Sequence, residues 1–200
     1  MDIIGLHLSP RQGGNSDVML AEFSRGAAAA GATVRRFSVS DRRIEPCLAC
    51  SACDIAGQCP TSDDMQELYP LLAQAKFIVV STSIFFYDVP AQGKALIDRS
   101  QALWVRRHVL KRPEALKPDG RGFLLALGAT KGENLFLPVS LSVGYFFDAL
   151  GFLPKTFQTL FLRQVEAPGD LERQPEKMSL IHEAGLGFGR LAAEGRDRTE

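Results

Sequence analysis

The chain has no excess charge of either sign: 23 basic residues stand against 23 acidic ones in 200. Partners such as nucleic acid or a membrane surface normally need a basic excess, so neither is expected. No apolar run reaches the roughly 18 residues of a membrane span. The opening residues Met1-Asp2-Ile3-Ile4-Gly5-Leu6 bring neither a basic stretch nor a long apolar core, so no secretory leader is expected and a cytoplasmic setting is. Cysteine is absent outside residues 47–59. A disulfide framework would spread its cysteines along a small secreted chain. Clustered thiols point instead to a metal site or to redox chemistry. The first loop lacks the Gly-Lys pair of G-x-x-x-x-G-K-S/T, and it lacks G-x-G-x-x-G. Both absences argue against a nucleoside triphosphate or a dinucleotide as the resident ligand.

The remainder is ordinary for a globular protein, at 46% hydrophobic and 23% charged residues. One domain over residues 1–194 is expected, with the polar stretch 195–200 as a frayed tail. Short apolar or β-branched runs at 2–8, 33–38, 76–81, 122–127 and 156–162 read as strands. They alternate with helical segments at 16–30, 64–73, 90–108, 136–150 and 176–193. The run Lys76-Phe-Ile-Val-Val-Ser81 is nearly continuous, as a strand buried on both faces should be. Such βα alternation predicts an α/β fold with a parallel sheet and helices on both faces. Two long irregular connections stand out, 40–61 and 110–121, and long loops in compact domains are often functional.

In such sheets ligands bind beyond the carboxyl ends of the strands, where strand order reverses. That selects the segments after Leu8, after Ser81 and after Gly128, and places the cysteine loop on the same rim. The first segment, Ser9-Pro10-Arg11-Gln12-Gly13-Gly14-Asn15-Ser16, has the chemistry of a phosphate cradle. Gly13 and Gly14 permit close backbone approach. Ser9, Asn15 and Ser16 offer donors, Arg11 a fixed charge, and the helix N-terminus unpaired N–H groups. A monophosphate such as FMN fits better than a larger nucleotide. Phe85, Phe86 and Tyr87 follow a buried strand and offer flat apolar neighbours for a tricyclic ring. His7, His108 and His182 read as structural, as do Asp98 and Arg99, the latter as a cap or ion pair.

The cysteines are spaced Cys47-x2-Cys50-x2-Cys53-x5-Cys59. Three thiols at such intervals can wrap one cubane and a fourth can close it. Structural zinc more often takes two separated pairs. A redox dithiol would leave two thiols unexplained. A 4Fe–4S cluster, free thiols and zinc all stay open, with the cluster preferred.

Four motifs occur in order: Ser9-Pro-Arg-x-Gly-x-Asn-Ser16, then Pro46-Cys-x-x-Cys-x-x-Cys with Gly57-x-Cys59, then Asp63-Asp64-Met65, then Pro90-Ala-Gln-x-Lys-x-x-x-Asp98-Arg99. Together they resemble the NADPH-dependent FMN reductase family, in particular its iron–sulfur flavoprotein branch. The resemblance runs over residues 3–192. It implies a flavodoxin-like three-layer sandwich, with a five-stranded parallel sheet of order 2-1-3-4-5 and non-covalent FMN. It puts the FMN phosphate on Ser9, Arg11, Asn15 and Ser16. The flavin ring then lies against Thr82, Ser83, Ile84, Phe85, Phe86 and Tyr87. The family usually has a proline near the start of that loop, where this chain has Ser81-Thr82-Ser83. Thr130, Gly132 and Asn134 resemble the third flavin loop.

The expected function is an FMN-dependent NAD(P)H oxidoreductase that passes electrons between FMN and a 4Fe–4S cluster on Cys47, Cys50, Cys53 and Cys59. Its acceptor would be a small molecule or a redox protein. The flavin carries the chemistry, so no catalytic side chain is assigned. A symmetric homodimer or higher oligomer is expected, joined through the aromatic loop and residues 110–121. The alternatives are a cluster-free NAD(P)H:FMN or quinone reductase, a flavodoxin-type carrier without a substrate site, and a thiol or zinc sensor without flavin.

Overall fold

A computed structural model describes residues 2–153 and 156–197. Five parallel strands, β1 (Asp2–His7), β2 (Thr33–Ser38), β3 (Phe77–Ser83), β4 (Arg121–Gly128) and β5 (Phe157–Arg163), form one sheet in the order β2-β1-β3-β4-β5. The expected flavodoxin-like order is therefore present. The three inner strands are buried on both faces, which is why their sequences read as continuous apolar runs rather than alternations.

Helices α1 (Asn15–Ala29) and α7 (Pro175–Asp197) cover one face through Met19, Phe23, Ile181 and Phe188. Their axes come close because Gly26 and Gly185 face each other's backbones. A Cβ on Gly26 would stand 2.1 Å from the His182 carbonyl oxygen, and one on Gly185 2.1 Å from that of Phe23. The other face carries α3 (Met65–Gln74), α4 (Ala91–Arg99), α5 (Gln101–His108) and α6 (Leu137–Ala149), packed through Leu68, Leu96, Leu103 and Phe146. A short helix, α2 (Cys53–Ala56), sits inside the cysteine loop.

Three expectations change in detail. The helix expected over 90–108 is two helices, broken at Ser100, whose hydroxyl bonds back to the Leu96 carbonyl at 3.0 Å. Helix α7 continues to Asp197, into the segment expected to fray, while 198–200 lie outside the described residues. The connection 110–121 is tied down on its own molecule: Lys117 Nζ donates to the carbonyls of Leu72 (2.6 Å) and Ala75 (3.1 Å). Burial pulls that ammonium's pKa down to about 7. No helix among the described residues is long and apolar enough to cross a membrane.

Candidate functional site

Two cavities gather part of the chemistry expected from the sequence. The first, of about 310 Å³, lies at the carboxyl ends of the strands between the loops that follow β1, β3, β4 and β5. Ser9, Arg11, Gly14, Asn15 and Ser16 line it from the first loop, and Ser83, Ile84 and Phe85 from the third.

The first loop is built to leave donors free. Gly13 turns the chain at φ +65°, where a side chain would be strained, and Asp17 accepts its N–H at 2.8 Å. Helix α1 starts behind Gly14 with no side-chain cap. The N–H groups of Asp17 and Val18 bond to the Gly14 carbonyl, so those of Asn15 and Ser16 remain for an anion. Arg11 lays its stem across Gly14, and its guanidinium is exposed. Ser9 is buried and accepts the Ser83 N–H at 2.9 Å, which couples the first loop to the third.

Not every expected donor is available. The Asn15 amide donates to the Ala167 carbonyl at 2.8 Å and accepts the Leu171 N–H at 3.3 Å, so its side chain clamps the loop after β5. The Ser16 hydroxyl is 3.0 Å from His7 Nε2, whose Nδ1 lies 2.8 Å from Ser38. Burial, aided by Arg36 and outweighing the opposing Asp17 and Asp41 charges, holds His7 below the usual histidine range, so it stays neutral beneath the loop. Thr82 is fully buried in β3 with its hydroxyl on the Ser83 carbonyl. Thr130, Gly132 and Asn134 are exposed on the loop after β4, where Arg163 donates to the Gly132 and Glu133 carbonyls. They stand beyond the cavity wall, which Gly128 and Ala129 form.

Phe85 reaches the cavity, while Phe86 and Tyr87 point outward at the tip of a tight turn closed by Phe85 and Asp88. The sequence reading missed Val165 and Glu166, which close the cavity from the loop after β5. The signal was Asp170, whose carboxylate accepts the N–H groups of Glu166 and Ala167 and shapes that loop.

The second cavity, of about 410 Å³, is lined by Cys47, Cys50, Cys53 and Cys59 together with Asp98, Arg99 and Gln101. The cysteine loop does leave the carboxyl end of β2, but it folds down over the α4–α5 junction instead of lying beside the phosphate loop. Two sets of contacts draw it there. Arg106 Nε donates to the Gly57 carbonyl at 2.6 Å and Arg112 to that of Ala56 at 3.0 Å. At the neck of the loop Arg99 and Asp63, both about 1% exposed in their side chains, form a forked ion pair at 2.5 and 3.1 Å. Arg99 also donates to the Glu45 (3.0 Å) and Thr61 (3.4 Å) carbonyls, one on each side of the neck. Asp63 accepts the N–H groups of Glu45 and Met65. The pair thus closes the loop without any metal, and removing one partner of such a pair costs roughly 3–5 kcal/mol. The structural role expected for Arg99 is this one.

Burial works against the Asp63 charge, but the bonds from Arg99 and the two N–H groups outweigh it and hold the carboxyl below its usual range. Burial, reinforced by Asp54, raises the Cys53 thiol. For Cys59 burial is overcome by hydrogen bonds from Thr61, by the neighbouring Tyr69 hydroxyl and by the Arg99 charge, and that thiol is held low. No disulfide joins any of the four cysteines. Among the described residues no three His, Cys, Asp or Glu side chains converge on a point that would hold a single metal ion. Thiols are the donor chemistry an iron–sulfur cluster takes. Four thiols ring one cavity, and the sulfurs around a cubane stand further apart than those around a single metal.

Helix α4 runs from the end of β1 to the cysteine cavity. Gly93 abuts the end of β1 at Leu8, just before the phosphate loop, and Arg99 borders the cysteine cavity. The helical rise between them is about 9 Å.

The model of the NADPH-dependent FMN reductase family matches residues 1–122. An iron–sulfur flavoprotein of Methanocaldococcus jannaschii is 34% identical over 103 residues, 52% of this chain and 53% of that protein. An iron–sulfur flavoprotein of Methanosarcina thermophila is 34% identical over 111 residues, 56% of this chain and 58% of that protein. The chain thus spans little more than half the length of these relatives. Among solved structures, an NAD(P)H:quinone oxidoreductase from Methanothermobacter marburgensis superposes with TM-score 0.71 at 19% identity, covering 94% of this chain and 98% of that one. A flavone reductase gives TM-score 0.70 at 17% identity, covering 98% of this chain and 64% of that one. At such identities the likeness is one of fold. The family match over more than half of the sequence is what places this chain: it belongs to the NADPH-dependent FMN reductase family.

Proposed function

We propose that the protein is an FMN-dependent NAD(P)H oxidoreductase with its flavin in the cavity above β1, β3 and β4. The observation that carries this is the uncapped start of α1 behind Gly13 and Gly14, with Arg11 laid over it, opening into a cavity walled by Phe85 and Ile84. Bound FMN would supply the electron transfer between a nicotinamide and an acceptor. The N–H groups of Asn15 and Ser16 and the Arg11 guanidinium hold the phosphate. The Ser9–Ser83 link keeps the first and third loops in register, and neutral His7 props Ser16 from below. No side chain has to move a proton. Replacing Arg11 by Ala should weaken FMN binding at least about tenfold, the worth of a charged hydrogen bond. Riboflavin, which has no phosphate, should bind as before. Equal losses for the two ligands in a fluorescence titration would rule the phosphate site out.

The second part of the reading is a 4Fe–4S cluster on Cys47, Cys50, Cys53 and Cys59 that exchanges electrons with the flavin along α4. Its support is one cavity lined by all four thiols, together with the relatives named iron–sulfur flavoproteins. After anaerobic purification, iron and acid-labile sulfide should each approach about four per chain. Full FMN with no iron, and none taken up on reconstitution, would leave a cluster-free NAD(P)H:FMN or quinone reductase. Absence of steady NAD(P)H turnover with an artificial acceptor would leave a flavodoxin-type carrier.

A further inference from the structure

Arg99 has a buried donor for which the fold provides no acceptor. Its two terminal nitrogens are committed to Asp63, Glu45 and Thr61, yet Nε is enclosed and has no hydrogen-bond partner among the described residues. A buried unpaired N–H on a charged group calls for a reason. The other such nitrogen, Arg42 Nε, belongs to a partly exposed side chain 5.2 Å over the Phe37 ring, where the ring face accounts for it. Arg99 has no ring beneath it. It lines the cavity that the four cysteines line. The Tyr69 hydroxyl, which donates to the Arg99 carbonyl at 2.8 Å, stands beside both that guanidinium and Cys59.

We propose that Arg99 is the buried hydrogen-bond donor and counter-charge of the 4Fe–4S cluster on Cys47, Cys50, Cys53 and Cys59, and that it raises the cluster's reduction potential. This rests on the cluster reading above. In the redox step one electron enters the cluster from a one-electron reductant, the cluster's charge becomes more negative by one, and no bond to the protein forms or breaks. A fixed cation beside the cluster favours the more negative state, and a buried N–H that reaches a cluster or cysteine sulfur would add to it. Asp63 works in the opposite sense, since its carboxylate offsets part of the Arg99 charge while holding the side chain in place.

The test is the cluster's midpoint potential in anaerobically purified holoprotein, titrated with dithionite and mediators and followed by EPR. Iron, sulfide and FMN contents are measured alongside. Removing Arg99 alone leaves Asp63 buried and unpaired, so the informative variants are Asp63→Asn and the double variant Arg99→Gln with Asp63→Asn. Asp63→Asn keeps the cation and removes its opponent, and the potential should rise. The double variant removes the cation and the donor together, and the potential should fall below that of the wild type. The FMN potential should stay where it is in both. A purely structural tie would not move the potential in opposite directions. Cluster potentials equal to wild type in both variants, with iron at full occupancy, would overturn the proposal. A wild-type protein that holds FMN but no iron would overturn the cluster reading and this proposal with it.

Discussion

Phe86 and Tyr87 are the most unusual residues in the chain. Both sit at positive φ, +48° and +71°, between two reciprocal backbone bonds joining Phe85 and Asp88. Tight turns of this handedness normally take Asn-Gly, because only such residues reach positive φ cheaply. Each bulky residue held there costs about 1–3 kcal/mol. Phe86 is also fully exposed, at 103%. Strain and exposure at one site mark a contact surface in place of a stabilising element. Replacing the pair by Asn-Gly should raise unfolding free energy by about 1–3 kcal/mol in urea, while weakening flavin binding or subunit association. A variant less stable than wild type would show that the aromatic tip holds the fold together. The sequence places these rings on a loop after a buried strand and expects them on the flavin, but does not show their turn, because Phe-Tyr is not a turn signature. Asn15 is a similar case. In the sequence it is a phosphate donor, and its amide is instead taken by Ala167 and Leu171, contacts that lie far along the chain.

Among the elements, α1 and α7 approach each other closely, and glycine permits it. A Cβ at Gly185 would press on the Phe23 backbone, whereas one at Gly187, two residues on, would meet nothing within 4 Å. Gly185→Ala should therefore cost about 1–3 kcal/mol through overpacking. Gly187→Ala should gain up to about 1 kcal/mol from helix propensity. Chemical denaturation of the two variants checks this, and equal effects would mean that the helices can slide apart. The strands and most helices are legible because each is a local pattern of apolar spacing. The break at Ser100 is not. A serine inside a helical run is compatible with helix, and the bend arises where Arg99 turns inward to meet Asp63, far away in sequence.

On the scale of the whole molecule, one surface carries several large exposed apolar side chains. Leu137, Leu141 and Tyr145 follow one another at every fourth position of α6, exposed by 55%, 64% and 73%. The aromatic turn adjoins them, since Ser142 donates to Asp88 at 2.7 Å. Monomers seldom keep apolar patches of this extent, and self-association through one such patch closes as a symmetric dimer. Light scattering should therefore give a particle larger than the 21.9 kDa of one chain, and Leu141→Glu with Tyr145→Glu should shift it toward the monomer. A wild-type monomer at micromolar concentration with flavin bound would contradict this. In the second segment expected at the interface, 110–121, Lys117 is anchored inward while Leu116 is half exposed, so the segment keeps apolar surface of its own.

What the sequence determined by itself is the alternation of strands and helices, the glycine-containing loop ahead of α1 and the grouping of four thiols. Each is written in neighbouring residues: apolar runs of strand length, glycines and donors before a helix, cysteines at x2 intervals. Only the tertiary structure decided where these meet. The cysteine loop could have lain beside the phosphate loop, since both leave the same end of the sheet. It lies instead at the far end of α4, because Arg106, Arg112 and the Arg99–Asp63 pair draw its carbonyls there. Those contacts join residues dozens of positions apart, and an arginine in a helix carries no mark of which distant carbonyl it will bind. The reason is physical. Propensity and periodicity act over a few residues, whereas the site is set by which buried charges find partners once the layers have packed.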